Sequence, residues 1–467
     1  MTVDGRLVPP GPLADPRQRA AEHRAWYFYD WANSAFVTTT GAVLFGPYLT
    51  AVAETAACGE VGTPEDPCHG TLSVLGIPVA AGSVAPYAVT FATIVSAVLL
   101  PLVGAVADRT SRKRHMLAGF GWAGALAAAS MVFVAGTNWS LGVVLLVLAS
   151  LFLGASLVVY DAILCDIAEE SDRDRVSSKG WALGYLGGGL LLAANLAFVT
   201  LEPLGLSRAD TVRISLLSAG VWWALWTFIP FRGLRDRPPL AVVRTGARRG
   251  LAGDAFGQLR DTLRHARGYP QTLRFLLAYL LYNDGIQTVI YAASIYGNRQ
   301  LGLSENTLIA AILTVQFVAF GGALLLGRIA GRYGSQRTIL ASLVLWTGVV
   351  GLAYLLPVRQ VAPFLVLAVV IGIVLGGSQA LSRSLYSLLV PRGREGEYFS
   401  LYQAAERGTS WFGTLAFGLV FQLTGSYRQA IMVLIAFFVA GFVVLLRLDL
   451  RRGIVAAGNE VPVVLRA

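Results

Sequence analysis

Two related segments of the chain begin 223 residues apart, at Gly104 and Gly327. They read Gly104-Ala-Val-Ala-Asp108-Arg109-Thr-Ser-Arg112-Lys-Arg114 and Gly327-Arg-Ile-Ala-Gly331-Arg-Tyr-Gly-Ser-Gln-Arg337. The same offset pairs Gly154 with Gly377 and Ser177 with Ser400. A repeat of this length predicts two homologous halves joined by a connecting segment, related by an axis along the membrane normal.

The composition is that of a membrane protein. Of the 467 residues, 55% are hydrophobic and only 14% are charged, and the mean hydropathy is +0.62. A soluble protein of this length needs more charge on its surface. A bilayer core about 30 Å thick requires roughly 20 apolar residues per helix, and backbone groups inside lipid must pair within the protein. We therefore predict an all-α membrane protein.

Long apolar runs predict twelve transmembrane helices. They lie near residues 25–52, 83–107, 115–135, 141–168, 178–201, 211–231, 271–297, 306–327, 338–356, 362–389, 398–423 and 429–447. Basic residues concentrate in alternate loops, whereas the large loop 54–82 has no Lys or Arg. By the positive-inside rule, both termini are expected in the cytoplasm. The net charge of +10 therefore indicates topology, and no nucleic-acid partner is expected.

These spans divide the chain into five regions. They are an N-terminal cytoplasmic tail (1–24), a six-helix bundle (25–231), a basic linker (232–269), a second six-helix bundle (270–448) and a C-terminal cytoplasmic tail (449–467). In the linker, Phe256, Leu259 and Leu263 fall on one helical face opposite Arg260 and Arg264. That pattern predicts a helix lying on the membrane surface. For residues 232–250, a disordered basic linker is the alternative.

The segment from Gly104 to Arg114 resembles the loop motif of the major facilitator superfamily, with Ser111 where that motif usually has Gly. Four further segments narrow the match: Tyr29-Asp-Trp-Ala-Asn-Ser-Ala-Phe36, Ser178-Lys-Gly-Trp-Ala-Leu-Gly-Tyr-Leu-Gly-Gly-Gly189, Tyr282-Asn-Asp-Gly-Ile-Gln-Thr288 and Gly376-Gly-Ser-Gln-Ala-Leu-Ser-Arg-Ser384. Together they resemble the vacuole-effluxer-like branch, which includes autophagy-related amino-acid exporters of fungal vacuoles and many bacterial relatives. The chain lacks the long inserts expected of a fungal member, so it is similar to the bacterial type.

The resemblance implies the major facilitator fold, with twelve helices in two pseudo-symmetric six-helix bundles. It also implies a role for the loop motif Gly104, Asp108, Arg109 and Arg112. Asp108 would contact a neighbouring helix terminus, where backbone amides favour a carboxylate, and would lock the cytoplasmic side in one state. The alternative is that these arginines only set the topology. Since the second copy has Gly331 in place of Asp, the lock should be asymmetric.

Polar side chains within the spans form the predicted substrate or proton site. A charged group at the centre of a membrane helix costs about 2.5–3.5 kcal/mol, so it usually faces a cavity or a partner. The candidates are Asp30, Asn33, Asn283, Asp284, Gln287 and Gln379. Asp284 lies closest to the middle, and a buried carboxyl group can take up a proton near neutral pH. The alternative is an Asp simply bonded to a neighbouring helix.

A second set of charged side chains lies nearer the cytoplasmic ends and is the predicted cytoplasmic gate. It consists of Asp161, Arg383, Glu406 and Arg407. Spans four and five face spans ten and eleven in the superfamily, so a pair between Asp161 and Arg383 or Arg407 could close the gate. A permanent Arg383–Glu406 pair within the second half is the alternative. Pairing is expected in either case, because an unpaired buried charge is strongly destabilising.

The cysteines do not predict a metal site. Cys58 and Cys68 share the loop 54–82, which is expected to be external, where disulfides persist, and a bridge between them is the favoured interpretation. No Cys/His spacing is typical of a metal site, and no phosphate-binding loop is present. We see no nucleophile–base pair either, so neither an enzyme nor a cofactor is expected.

These patterns predict a secondary active transporter that moves a small polar solute by alternating access. Amino acids are the candidate solutes, export is the expected direction, and protons are the expected coupling ion. The expected setting is a monomer in the plasma (inner) membrane whose partners are the solute, protons and membrane lipid. Two alternatives stay open: a non-transporting sensor or scaffold with a transporter fold, and a transporter of lipid-type substrates.

Overall fold

A computed structural model of the chain describes residues 2–3, 6–7, 15–62, 68–74, 76–201, 205–239, 260–262, 264–408 and 411–465. Within these ranges, ten helices are long and apolar enough to cross a membrane. Predicted spans seven and eleven are also helical but are not among the ten. The all-α membrane architecture is therefore confirmed, and the count of twelve spans stays a prediction.

The described residues of the first half form six long helices. They are α1 (Pro16–Cys58, with π-helical turns at Phe36–Leu44), α2 (Val84–Arg109), α3 (Lys113–Ser130), α4 (Trp139–Ile167), α5 (Arg173–Leu201) and α6 (Arg208–Gly233). Two antiparallel strand pairs accompany them: β1 (Thr2–Val3) with β2 (Arg6–Leu7), and β3 (Thr71–Val74) with β4 (Ile77–Ala80). Cys58 and Cys68 form a disulfide that closes the connection between α1 and β3.

The second half repeats this arrangement. Its helices are α7 (Pro270–Ile295), α8 (Glu305–Tyr333), α9 (Ser335–Leu355), α10 (Val361–Leu389), α11 (Glu395–Gly408), α12 (Trp411–Thr424), α13 (Tyr427–Leu446) and α14 (Leu450–Ala456). Together α11 and α12 occupy the place of predicted span eleven. The hydrophobic core is likewise divided, with one large cluster in the second half and smaller clusters in the first.

The contacts between the halves follow the sequence repeat. Helix α2 packs against α11, and α5 packs against α8. The offset of 223 residues carries α2 onto α8 and α5 onto α11, so these two contacts are equivalent. Helix α5 also packs against α10, and α4 packs against α11. The two halves therefore meet through the pseudo-symmetric surfaces that the repeat predicts.

Parts of the segments predicted to lie outside the two bundles are folded against them. Helix α1 begins at Pro16, capped by the Asp15 side chain, so residues 16–24 belong to a helix rather than to a tail. Buried Glu22 pairs with Arg237 of the linker at 2.6 Å. In the C-terminal region, Asn459 donates hydrogen bonds to the carbonyls of Leu388 and Val390. Phe256, Leu259 and Leu263 of the predicted surface helix lie outside the described residues.

Glycines allow close packing between helices within each half. A Cβ at Gly180 of α5 would lie 2.7 Å from a carboxylate oxygen of Asp30, and one at Gly187 would lie 2.8 Å from the Trp31 ring. Small residues let helices approach in this way within lipid. In the second half, Gly376 of α10 faces the backbone of α8 so closely that a Cβ would collide with the Ala319 carbonyl oxygen.

We expect Gly376→Ala to lower stability by about 1–3 kcal/mol, because the added methyl group meets backbone that cannot rotate away. Gly351→Ala in α9 is the matched control, since a Cβ there meets nothing within 4 Å. The midpoint of thermal unfolding in detergent measures both variants. An unchanged midpoint for Gly376→Ala would contradict the close α8–α10 packing.

Candidate functional site

Arg383 of α10 lies at the contact between the halves and is 2% exposed. Its guanidinium group contacts Asp30 at 3.0 Å and Asp161 at 3.5 Å, which lie on α1 and α4 of the first half. It also donates to the Ser177 hydroxyl at 3.0 Å and to the Ser177 carbonyl at 3.1 Å, on α5. One arginine of the second half therefore joins three helices of the first.

Aromatic rings of the first half surround this guanidinium group. Its central carbon lies 4.7 Å from the ring centroid of Trp26, 5.2 Å from that of Tyr160 and 5.4 Å from that of Trp181. The Tyr160 hydroxyl donates to Asp30 at 2.8 Å. Such rings attract a cation through their quadrupoles. We call Trp26, Asp30, Tyr160, Asp161, Ser177 and Trp181 the first-half cage.

Gln403 extends the ion network into α11. Its side-chain amide donates to Asp161 at 2.9 Å and approaches Glu406 at 3.4 Å, and it accepts from Arg407 at 3.4 Å. The four predicted gate residues are therefore neighbours. The described ion pairs of Arg383 run across the halves to Asp30 and Asp161, as in the first of the two predicted alternatives. Removing Arg383 would leave two buried carboxylates uncompensated, at a cost of about 3–5 kcal/mol.

The six predicted substrate or proton residues do not form one group. Asp30 belongs to the network of Arg383. Asn33 donates to the carbonyl of Tyr29 in its own helix at 2.6 Å. Asn283 accepts from Gln379 at 2.9 Å and from Gln287 at 3.5 Å, so these three amides are together.

Asp284 has different partners from its neighbour Asn283. One carboxylate oxygen accepts from the backbone amide of Gly413 at 2.8 Å, in the first turn of α12. Its other oxygen is buried, and none of the described residues forms a hydrogen bond with it. Successive side chains on a helix point about 100° apart, which is why Asn283 reaches α10 while Asp284 reaches α12. The position matches the alternative of an Asp bonded to a neighbouring helix and leaves one acceptor unused.

The loop motif lies at the end of the molecule that carries Arg112, Lys113, Arg173 and Arg392, which we call the basic end. Asp108 accepts hydrogen bonds from the amides of Gly396 at 2.6 Å and Glu397 at 2.9 Å, in the first turn of α11. A Cβ at Gly104 would collide with the Gly396 carbonyl. Asp108 therefore holds the N-terminus of a helix from the other half. Arg109 and Arg112 are exposed, and the gating role of all four motif residues stays a prediction.

The equivalent contact in the other copy uses different side chains. At Gly331, the counterpart of Asp108, a Cβ would meet nothing within 4 Å. The carboxylate comes instead from Asp174 of α5, which accepts from the hydroxyls of Ser335 at 2.7 Å and Ser384 at 2.5 Å. The two copies thus differ, as the missing acid in the second copy predicts.

Further contacts close the basic end. Arg173 donates to the Ser387 carbonyl at 2.8 Å, and Arg392 pairs with Glu170 at 2.9 Å. Burial opposes ionisation of Glu170, but nearby Arg173 and Arg392 hold the pKa of its carboxyl below the usual value. The hydrogen bonds described between the halves lie at this end, so the structure is a conformation in which the basic end is shut.

The sequence interpretation missed several members of the site. Trp26, Tyr160, Trp181 and Asp174 were not predicted to contact it, and Ser177 was noted only through the repeat. Spacing carries a partial signal, because Trp26 and Asp30 are four residues apart on α1, as are Ser177 and Trp181 on α5. Residues at this spacing share a helical face. Nothing in the spacing shows that the two faces meet around Arg383.

We expect Gly104→Ala to favour opening of the basic end, since its methyl group would overlap the Gly396 carbonyl only when the end is shut. The expected penalty on the shut state is about 1–3 kcal/mol. Spin-label distances between Ser111 and Arg332 report the opening. Gly119→Ala in α3, where a Cβ meets nothing within 4 Å, is the control. Identical distance distributions in both variants would contradict the interpretation.

Comparison with known proteins identifies the family to which the chain belongs. The model of the family described as "Vacuole effluxer Atg22 like" matches residues 18–458. An uncharacterized MFS-type transporter of Bacillus subtilis, YxiO, is 28% identical, over 91% of this chain and 94% of that protein. Autophagy-related protein 22 of Eremothecium gossypii is 27% identical, over 92% of this chain and 91% of that protein.

Solved structures give the same fold. The proton:xylose symporter XylE superposes with a TM-score of 0.67 at 13% identity, covering 91% of this chain and 95% of that one. A bacterial homologue of the iron transporter ferroportin, in an outward-facing state, has a TM-score of 0.65 at 14% identity, covering 93% and 99%. The predicted major facilitator fold is thus confirmed, and an enzyme is not indicated. The chain belongs to the Atg22-like vacuole effluxer family of major facilitator superfamily transporters.

Proposed function

We propose that this transporter moves a small polar solute, with amino acids as the candidates, by alternating access around the ion network of Arg383. The observation that carries the proposal is that Arg383 of one half bonds Asp30, Asp161 and Ser177 of the other. Such contacts must break when the halves part at the basic end. The network is therefore suited to serve as a gate with two discrete states.

The direction and the membrane are also proposed. Arginines concentrate at the basic end, which by the positive-inside rule is expected to face the cytoplasm, and we expect both termini on that side. The shut basic end then corresponds to an outward-facing state. The family description names effluxers, which supports export. The bacterial-type sequence supports the plasma (inner) membrane, with the chain acting as a monomer.

Proton coupling is proposed for Asp284. Its carboxylate is 1% exposed, and one of its oxygens has no hydrogen-bond partner among the residues that the structure describes. Burial favours the neutral form of a carboxyl group, and a free oxygen can accept a proton without breaking the bond to Gly413. Because that bond joins α7 to the first turn of α12, a change of charge at Asp284 would alter the contact between these two helices.

Flux through proteoliposomes tests the proposed function. We expect the protein to carry labelled solutes from an amino-acid panel, with a rate that responds to an imposed pH gradient. Arg383→Gln should reduce this flux at least about 10-fold, because loss of a pairing worth more than about 1.4 kcal/mol shifts the equilibrium of the gate by that factor. Absence of flux for every small polar solute would contradict transport and would favour a sensor, a scaffold or a lipid-type substrate.

We expect Asp284→Asn to abolish the response to the pH gradient while leaving the protein folded. The amide oxygen of Asn can still accept from Gly413, but the side chain cannot exchange a proton. Asp210→Asn is the control, because Asp210 lies at the start of α6 in a half-buried pair with Arg213, away from Asp284. Normal coupled flux in Asp284→Asn would remove Asp284 from the mechanism.

A further inference from the structure

In the described hydrogen bonds of Arg383, the acceptors belong to one half. Asp30 and Asp161 supply carboxylates and Ser177 supplies a hydroxyl and a carbonyl, on α1, α4 and α5. The donors come from the other half, where Gln403 joins Arg383. When the halves part at the basic end, the first half is left with acceptors and ring faces but without these donors.

The cage is held together by contacts within the first half. The rings of Trp26 and Tyr160 stack with centroids 4.2 Å apart, and the Trp26 indole donates to the Tyr160 carbonyl at 2.9 Å. The Tyr160 hydroxyl orients Asp30 at 2.8 Å. A Cβ at Gly180 would strike Trp26 and Asp30, so this glycine lets α5 close the cage. These contacts do not require Arg383, so the cage can persist when α10 withdraws.

The empty cage has the chemistry of a site for an organic cation. Two carboxylates of the cage face one guanidinium group, so the cage carries net negative charge when Arg383 is withdrawn. Three ring faces add attraction for a weakly hydrated cation. Planar guanidinium groups, which have several N–H donors, match carboxylate acceptors well. Arg383 itself shows which group fits.

We propose that Arg383 occupies the site at which the first half binds the cationic group of the solute. The transported class is then solutes with a guanidinium or side-chain ammonium group, such as basic amino acids. This inference rests on the proposed function and names the substrate class of the same site. The solute enters the cage when the basic end is open, and the return of Arg383 on closure displaces it toward the opposite side.

This competition couples binding to conformation. The solute and Arg383 cannot occupy the cage together, so the solute binds the state in which the basic end is open. A ligand shifts a conformational equilibrium by its difference in affinity for the two states. Cationic solute added on the basic side should therefore populate the open state. In the shut state Arg383 fills the cage instead and stabilises that state.

Flux through proteoliposomes containing the wild-type chain is the first test. Labelled L-arginine and L-lysine should be carried, whereas L-citrulline, the neutral isostere of arginine, and L-norleucine, which lacks the ammonium group of lysine, should not. Equal flux of these two neutral analogues, or flux of other small polar solutes only, overturns the substrate class and leaves the proposed function standing. No flux of any solute overturns the proposed function as well.

Chemical rescue is the second test, on purified full-length Arg383→Ala. Guanidinium chloride, at concentrations well below those that denature, should raise its thermal midpoint, and the neutral isostere urea should not. Arg114→Ala is the matched control, because Arg114 also pairs with a carboxylate, Asp236, beside a ring, that of Phe231, but outside the cage. Rescue of both variants, or of neither, overturns the proposal.

Two further variants keep the rescue test decisive. If Arg383→Ala does not fold, Arg383→Gln retains a neutral donor and is measured in the same way. Adding Trp181→Leu should weaken the apparent affinity for guanidinium by roughly 2- to 30-fold, the range expected for loss of one cation–π contact. An unchanged affinity would show that the rings do not bind the cation.

Discussion

A guanidinium group inside a helical membrane bundle must be paired, and Arg383 pairs with Asp30 and Asp161 on the opposite half. Burying ions costs several kcal/mol each, and only good geometry and further hydrogen bonds offset that cost. The contacts with Ser177, Gln403 and the three rings supply them. The same features favour two discrete states, shut and open, because a partial separation of the halves would leave these charges with neither water nor a partner.

The basic end is held by two unlike contacts on top of this network. Asp108 bonds backbone amides of α11, and Asp174 bonds hydroxyls of Ser335 and Ser384. A carboxylate at helix-terminal amides gains from their partial positive charge, whereas hydroxyl donors are neutral. The two copies of the contact therefore hold the halves together through different donors, backbone amides on one side and side-chain hydroxyls on the other.

The fold can be predicted from the sequence because the sequence signals for it are either local or repeated along the chain. Apolar runs predict membrane helices, and the repeat at 223 residues predicts two homologous halves, which agrees with the equivalent contacts of α2 with α11 and of α5 with α8. The bond between Asp108 and the start of α11 matches the contact that the loop motif implies. Each of these signals is read within a few consecutive residues or from a fixed offset.

The candidate site depends on contacts that no local pattern contains. Asp30 was assigned to a central group with Asp284, yet it lies beside Arg383, because α5 glycines draw α1, α4 and α5 together at one level. Asp284 and Asn283 are adjacent in sequence but reach different helices. The cage of aromatic rings was not predicted, since Trp and Tyr within apolar runs look like ordinary core residues.

Alternating access requires the halves to separate at the basic end in every transport cycle, and a reversible cross-link between the halves would prevent that separation. Ser177→Cys with Ala380→Cys places two thiols where the Ser177 hydroxyl now donates to the Ala380 carbonyl at 2.7 Å. In a Cys165→Ser background, oxidation should stop solute flux and reduction should restore it, while the background alone should be unaffected by either treatment. Undiminished flux through the fully cross-linked protein would contradict the account.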